Sequence, residues 1–281
     1  MEPLIREECL RNAAARLRRF REEYGVWTAP VDSFRLLREI ENRGKIRVRW
    51  KEDPSFPEEA DALTVFSSDG NCILIVTRMV PMRWKKISAW RRNNFTMAHE
   101  LGHIFCGHVT TPNAVKTPAV TEMEDAEADA FAAGLLMPEE ALGHFCGVKE
   151  AAEALLVSES AIRRRMRDTG ILFAIRTCPE CGFDRVPPAA DWCRMCGKCL
   201  QDNPHPPAEQ AVRYLPPLPE ECPVCGLKEL SGPGGRCINC DNPKRNYCMP
   251  EYDQPPHRCP DDALFCETCG APTLYAELLK H

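Results

Sequence analysis

The chain has 281 residues, with 36 Lys and Arg against 41 Asp and Glu and a formal net charge of −5. That length holds one domain of ordinary size plus something smaller, and the mild negative charge argues against broad affinity for nucleic acid. The longest apolar run, Cys72–Val76, is too short to cross a bilayer, and the acidic start lacks the apolar stretch of a secretory leader, so a cytoplasmic protein without a membrane partner is expected.

In chain order, residues 2–23 predict a helix rich in Arg and Glu, with Leu4, Leu10, Ala14, Leu17 and Phe20 toward one side. Pro30 opens a second helix through about Asn42, with Val31, Phe34, Leu37 and Ile40 inward and Gly44 as its stop. Residues 46–50 alternate as a strand. Residues 62–66 and 72–77 flank Ser67-Ser-Asp-Gly-Asn71 as a hairpin. A small antiparallel sheet is therefore expected, with 72–77 as the candidate edge for a substrate backbone.

The next segment carries the chemistry. His99-Glu100-Leu101-Gly102-His103 places two histidines one helical turn apart on one face, where both imidazoles can reach one metal ion. Two neutral His ligands with a carboxylate beside them is the layout of a zinc-dependent peptidase. Apolar residues at 97, 98, 101, 104 and 105 keep helical spacing, so this helix is expected to be buried. Gly102 costs about 1 kcal/mol against Ala in mid-helix, which makes sense if something packs closely there. Asn93 or Asn94 is a candidate cap, and His108 is expected to close the helix, near its C-terminal dipole, with contact to the active site as the alternative.

A third ligand must come from another element. The alanine-rich helix 122–136 supplies candidates. Glu127 falls on its apolar side, where a carboxylate is costly unless paired or metal-bound. Glu127 is the first choice, with Asp129, Glu124 and Asp125 as alternatives.

Phe95-Thr-Met-Ala-His-Glu-Leu-Gly-His-Ile-Phe-Cys-Gly-His108 followed by Glu127-Ala-Asp-Ala-Phe-Ala-Ala-Gly-Leu-Leu-Met-Pro138 resembles the ImmA/IrrE family of zinc metallo-endopeptidases over about residues 30–175. The resemblance implies that His99, His103 and Glu127 hold one catalytic zinc and that Glu100 is the general base. It also implies a bacterial or phage host and a protein substrate, often a helix-turn-helix repressor of a mobile element or stress response. Cys106 stands where the family usually has leucine, and Gly134 where it often has glutamate.

Residues 148–170 read as helix, turn and helix, with Ser158 as the second cap. Arg163, Arg164, Arg165 and Arg167 make DNA contact through 158–167 a minor reading, because phosphate attraction needs a wider basic footprint.

Of the seventeen cysteines, thirteen lie between 178 and 269. In a cytoplasmic chain that pattern predicts metal rather than disulfides. Cys178, Cys181, Cys193 and Cys196, and again Cys222, Cys225, Cys237 and Cys240, form two C-x2-C-x11-C-x2-C units. Each offers four thiolates to a structural zinc, as in a zinc ribbon. Cys248, Cys259, Cys266 and Cys269 form a less regular third set in which His257 could replace a cysteine, and Cys199 is left over. The tail holds fifteen Asp and Glu against ten Lys and Arg, which favours protein docking over nucleic acid.

The expected architecture is α+β. An N-terminal helix (1–29) precedes a zincin-like metallopeptidase domain (30–147), then a helix-turn-helix-like segment (148–177) and a zinc-ribbon region (178–281). The expected cofactors are one catalytic and two or three structural zinc ions. A non-catalytic adaptor built from the same ribbons and helix-turn-helix is the competing function.

Overall fold

A computed structural model describes residues 3–44, 46–53, 62–67, 71–77, 87–109, 116–173, 176–201, 213–214, 227, 237, 246–249 and 256–278. The chain divides into two compact units, one of residues 1–139 and 151–170, the other of residues 140–150 and 171–281.

The first unit is a helical layer beside a small sheet. Its helices are α1 (Pro3–Tyr24), α2 (Ser33–Arg43), α3 (Ile87–Cys106), α4 (Pro118–Leu136) and α7 (Glu159–Thr169). After the two-residue strand β1 (Thr28–Ala29), its sheet strands are β2 (Val48–Glu52), β3 (Ala62–Phe66) and β4 (Ile73–Thr77). The short helices α5 (Glu139–Leu142) and α6 (Val148–Ala154) fall where the two units meet in sequence.

The inward strip of α1 is Cys9, Ala13, Leu17, Phe20 and Tyr24. That spacing of four, four, three and four keeps one helical face. Leu10 and Ala14, expected on the strip, point outward. Phe20 meets Phe105 with ring centroids 4.5 Å apart and Phe131 at 5.5 Å, so one aromatic cluster joins α1, α3 and α4. Burying each such side chain contributes roughly 1.5–3 kcal/mol.

Helices α3 and α4 lie unusually close. A Cβ on Gly102 would sit 2.9 Å from both the Cα and the carbonyl oxygen of Ala128. The mid-helix glycine is therefore explained by a backbone approach. At Gly134 the neighbour is a side chain instead, since a Cβ there would lie 2.7 Å from Leu17 Cδ2 of α1.

The sheet order is β2-β4-β3. Strands β3 and β4 form the expected antiparallel hairpin, with Thr64 opposite Ile75. Strand β2 pairs with β4 in parallel, Trp50 opposite Ile75, so the sheet is mixed, not purely antiparallel. This also corrects the expected edge. Strand β4 is central, as its unbroken Ile-Leu-Ile-Val run suits, and the edges are β2 and β3. β3 is the edge strand that packs on α3.

Asn94 does not cap a helix. It lies fully buried inside α3, where Oδ1 accepts from Ser33 N at 2.8 Å and Nδ2 donates to Val31 O and Leu156 O at 3.1 Å. One amide thus ties the start of α2 and the α6–α7 turn to the metal helix. The N-cap of α2 is Asp32, accepting from Phe34 N and Arg35 N, with Gly44 in the left-handed conformation at its end. Ser158 caps α7 as expected, accepting from Ala161 N, and Gly170 ends it.

The second unit is organised by cysteine knuckles. Gly182 N, Gly197 N and Gly270 N each donate to the carbonyl of the first cysteine of a Cys-x-x-Cys pair, at 3.0, 2.9 and 2.9 Å. All three glycines have positive φ, near 70–75°, a conformation other residues rarely adopt. The knuckles at 193–196 and 266–269 pack on each other reciprocally. Trp192 covers Gly270 and Phe265 covers Gly197. Trp192 N donates to Glu267 O at 3.0 Å, and Phe265 N to Arg194 O at 2.9 Å. Arg194 and Glu267, in matching positions of the two knuckles, are both buried, with NH1 3.6 Å from Oε1. Burial raises the Glu267 carboxyl to about 7 despite that arginine.

Candidate metal centre

His99 and His103 sit on one face of α3 with their Nε2 atoms 3.1 Å apart. What turns both atoms to one point is the hold on the opposite nitrogens. His99 Nδ1 lies 2.9 Å from Asp129 Oδ1. A carboxylate only accepts, so Nδ1 carries the hydrogen and Nε2 keeps its lone pair. His103 Nδ1 lies 3.0 Å from His108 Nδ1, and His108 Nε2 lies 3.0 Å from Glu127 Oε2. Glu127 likewise accepts, so His108 carries its hydrogen on Nε2. Its Nδ1 then accepts from His103, which leaves His103 Nε2 as a second lone-pair nitrogen. Asn12 Nδ2 completes this chain by donating to Glu127 Oε1 at 3.0 Å.

The carboxylate beside the pair is Asp125. Its Oδ1 lies 3.4 Å from His103 Nε2, and His99, His103 and Asp125 offer ligand atoms that all lie within 4.8 Å of one another. Glu127, the ligand expected from sequence, is turned elsewhere. It groups with Cys106 and His108, and its inward carboxylate is satisfied by His108 and Asn12 rather than by a position next to the pair. Positions two apart on a helix are about 200° apart around its axis, so 125 and 127 cannot face one point, whereas 125 and 129 can. The signal that could have shown this is the matched i, i+4 spacing of Asp125 and Asp129 against that of His99 and His103. His108, read as a helix end, is instead buried and part of the site.

Glu100 is buried beside the histidines, and its Oε2 accepts from Thr64 Oγ1 at 2.6 Å. Burial raises its pKa, while the Thr64 hydrogen bond and His99 oppose that rise. A carboxylate lifted toward neutrality suits a general base. Burial, with His99 and His108 adding to it, pushes His103 down to about 3, so its imidazole is neutral. Burial also works against the charged form of His99, but the Asp129 hydrogen bond and the charges of Glu100, Asp129 and Asp125 outweigh it and raise its pKa. Burial raises Asp125 as well. For Asp129 burial is overcome by His99 and Arg164, which hold it below its ordinary value.

A cleft of about 1310 Å³, lined among others by Arg92, Thr96 and Arg164, reaches this cluster at Asp129.

In the second unit Cys178, Cys181, Cys193 and Cys196 converge, with Cys178 Sγ 3.7 Å from Cys196 Sγ and Cys181 Sγ 3.7 Å from Cys193 Sγ. Four sulfurs each about 2.3 Å from a tetrahedral zinc would stand at close to this spacing. In the third set Cys248, Cys266 and Cys269 converge with His257, whose Nδ1 lies 3.5 Å from Cys248 Sγ. Cys259, expected as a ligand, is buried in the same cluster, its thiol within hydrogen-bond reach of Cys248 and Cys266, and it also donates to His257 O at 3.6 Å. Cys199 is apart from these groups, its Sγ donating to Gln201 O. Of the other predicted set, Cys237 is buried, and Cys222, Cys225 and Cys240 lie outside the described residues.

A convergent histidine pair with an adjacent acidic side chain and a buried glutamate is a candidate metal-binding site, with the donor set that metal-dependent hydrolases use. Residues 88–167 match the family model for the IrrE N-terminal-like domain, peptidase family M78, a narrower span than the 30–175 expected from resemblance. This match supports the ImmA/IrrE resemblance. No curated protein matches the chain. Among solved structures, a Mycobacterium tuberculosis transcriptional regulator aligns at 17% identity with a TM-score of 0.36, over 55% of this chain and 46% of that one. The chain thus spans about half the length of that structure. Among the described residues no helix is long and apolar enough to cross a membrane.

Proposed function

We propose that the protein is a zinc-dependent endopeptidase with His99, His103 and Asp125 as metal ligands and Glu100 as general base. The observation that carries this reading is the pair of Nε2 lone pairs set 3.1 Å apart by hydrogen bonds on both Nδ1 atoms. A bound zinc ion would supply Lewis acidity at neutral pH. Glu100, held at Oε2 by Thr64, takes the proton of the attacking water on Oε1 and returns it to the leaving amide nitrogen. Thr64 lies on β3, so the exposed edge of that strand is the surface along which an extended peptide would run, by strand addition. Leu63 on the same strand is 50% exposed. The resemblance makes the substrate a protein, with a helix-turn-helix repressor as the first class to test.

Cys178, Cys181, Cys193 and Cys196 would hold one structural zinc, and Cys248, Cys266 and Cys269 another, with Cys259 or His257 as its fourth ligand. Both sets are closed by four ligands and offer no open position. We assign them to folding and partner docking, in a cytoplasmic protein.

The testing experiment counts zinc in wild type and Glu100→Gln and follows cleavage of helix-turn-helix repressors. Equal zinc with cleavage reduced about 10²–10⁴-fold is expected for a lost general base. Undiminished cleavage by Glu100→Gln refutes the mechanism. A non-catalytic adaptor would give no cleavage by wild type at all.

A further inference from the structure

We propose that Asp129 and Arg164 are positioning residues for the metal ligand His99, so that α7 serves the histidine site. This rests on the metal reading above and extends it to a helix that the sequence associates with DNA contact.

The chain of contacts is short and directional. Asp129 Oδ1 lies 2.9 Å from His99 Nδ1, and Asp129 Oδ2 lies 2.9 Å from Arg164 NH2. Both carboxylate oxygens are therefore engaged, one by the imidazole and one by the guanidinium. That fixes the rotation of the carboxylate, and through it the tautomer and ring plane of His99. Removing the Asp129 carboxylate would free His99 to swap its hydrogen to Nε2, the atom that must stay unprotonated to bind a metal. Arg164 also approaches Asp168 Oδ2, at 4.0 Å on its own helix.

Arg163 and Arg165 of α7 fit this assignment better than a nucleic-acid groove. Arg163 pairs with Glu159 at 2.9 Å one turn back. Arg165 donates from Nε to Met137 O at 3.1 Å, at the end of α4. Together Arg164 and Arg165 fasten α7 to both the metal-facing side and the end of α4. The α6–α7 turn is fastened separately to α3 by Asn94. The turn and α7 are thus each attached to an element that carries site residues.

The test loads the full-length chain with Co2+ and reads the site by the visible bands of a nitrogen- and oxygen-ligated ion, separate from thiolate charge-transfer bands of the cysteine sites. Retention against a competing chelator gives the affinity. Asp129→Asn is expected to weaken cobalt binding at the histidine site about 10–100-fold, the usual cost of losing an outer partner of a ligating histidine. Arg164→Gln is expected to weaken it in the same direction by a smaller factor, and Arg164→Lys to restore part of the loss. Arg163→Gln, whose partner is on the solvent face, should leave it unchanged. Wild-type cobalt affinity in Asp129→Asn overturns the proposal, and so does an equal loss in Arg163→Gln and Arg164→Gln. Far-ultraviolet circular dichroism, dominated by the long helices of the first unit, reports folding of the same samples. If an Arg164 variant does not fold, the nearly isosteric Asp129→Asn decides alone. Failure of the underlying reading has a different signature: His99→Ala would then lose no cobalt.

Discussion

The histidine cluster and the thiolate clusters aim their donor atoms by opposite means. In the histidine site the donors come from two long helices, and their aim depends on outer partners: Asp129 behind His99, and His108 with Glu127 behind His103. In the thiolate sites the donors come from tight turns whose own backbone fixes them, through the glycine N–H to cysteine carbonyl bonds of each knuckle. A site aimed by packed helices exists before the metal arrives and can keep an open position. A site made from turns in an apolar-poor tail draws its folding free energy from the metal.

The largest way to break this comparison is to remove a thiolate. Cys193→Ser should abolish the folding transition of the second unit, because structural zinc binding is worth about 10–16 kcal/mol in small metal-dependent domains. Zinc content should fall by one, and a surviving transition measured by differential scanning calorimetry would contradict the claim that metal organises this unit.

A sharper test separates two acidic residues on α4. Asp125→Ala should lose the histidine-site metal with little change in stability, as its side chain is 55% exposed. Glu127→Ala should weaken that metal without abolishing its binding, because Glu127 stands behind His103 through His108, and should destabilise by about 1–3 kcal/mol, since it leaves His108 without an acceptor in a buried place. Metal analysis with urea denaturation reads both, and the reverse pattern would restore Glu127 as the ligand.

Packing of the two helices is tested by Gly102→Ala. Helix propensity would favour alanine by about 1 kcal/mol, but a Cβ 2.9 Å from the Ala128 backbone should reverse the sign, with a loss of about 1–3 kcal/mol from overpacking. A variant more stable than wild type in thermal denaturation would show that α3 and α4 can separate freely.

The smallest expected effect concerns pH. The Thr64 hydrogen bond favours ionised Glu100 against the burial that raises its pKa. Thr64→Val removes it, so the Glu100 pKa should rise further. A general base must be ionised, and the acid limb of kcat/KM should therefore move to higher pH, with activity lost more at pH 6 than at pH 8. An unshifted limb would separate Thr64 from the base.

The sequence by itself determined what short spacing can determine. His99 and His103 share a face because a helix repeats every 3.6 residues, and Cys-x-x-Cys-Gly makes a knuckle because glycine reaches positive φ at no steric cost. Gly102 announced a close neighbour without naming it. The tertiary structure decided the rest. It set which rotation of α4 faces the histidines, so that Asp125 and Asp129 lie beside them and Glu127 meets His108. It buried His108 behind His103, put β4 at the sheet centre, drew Arg164 to Asp129, and paired the knuckle at 193–196 with the one at 266–269. The reason is the same in each case: local repeats fix which residues share a face, but which face meets which depends on distant side chains such as Phe20, Leu17 and Ala128 filling the space between elements.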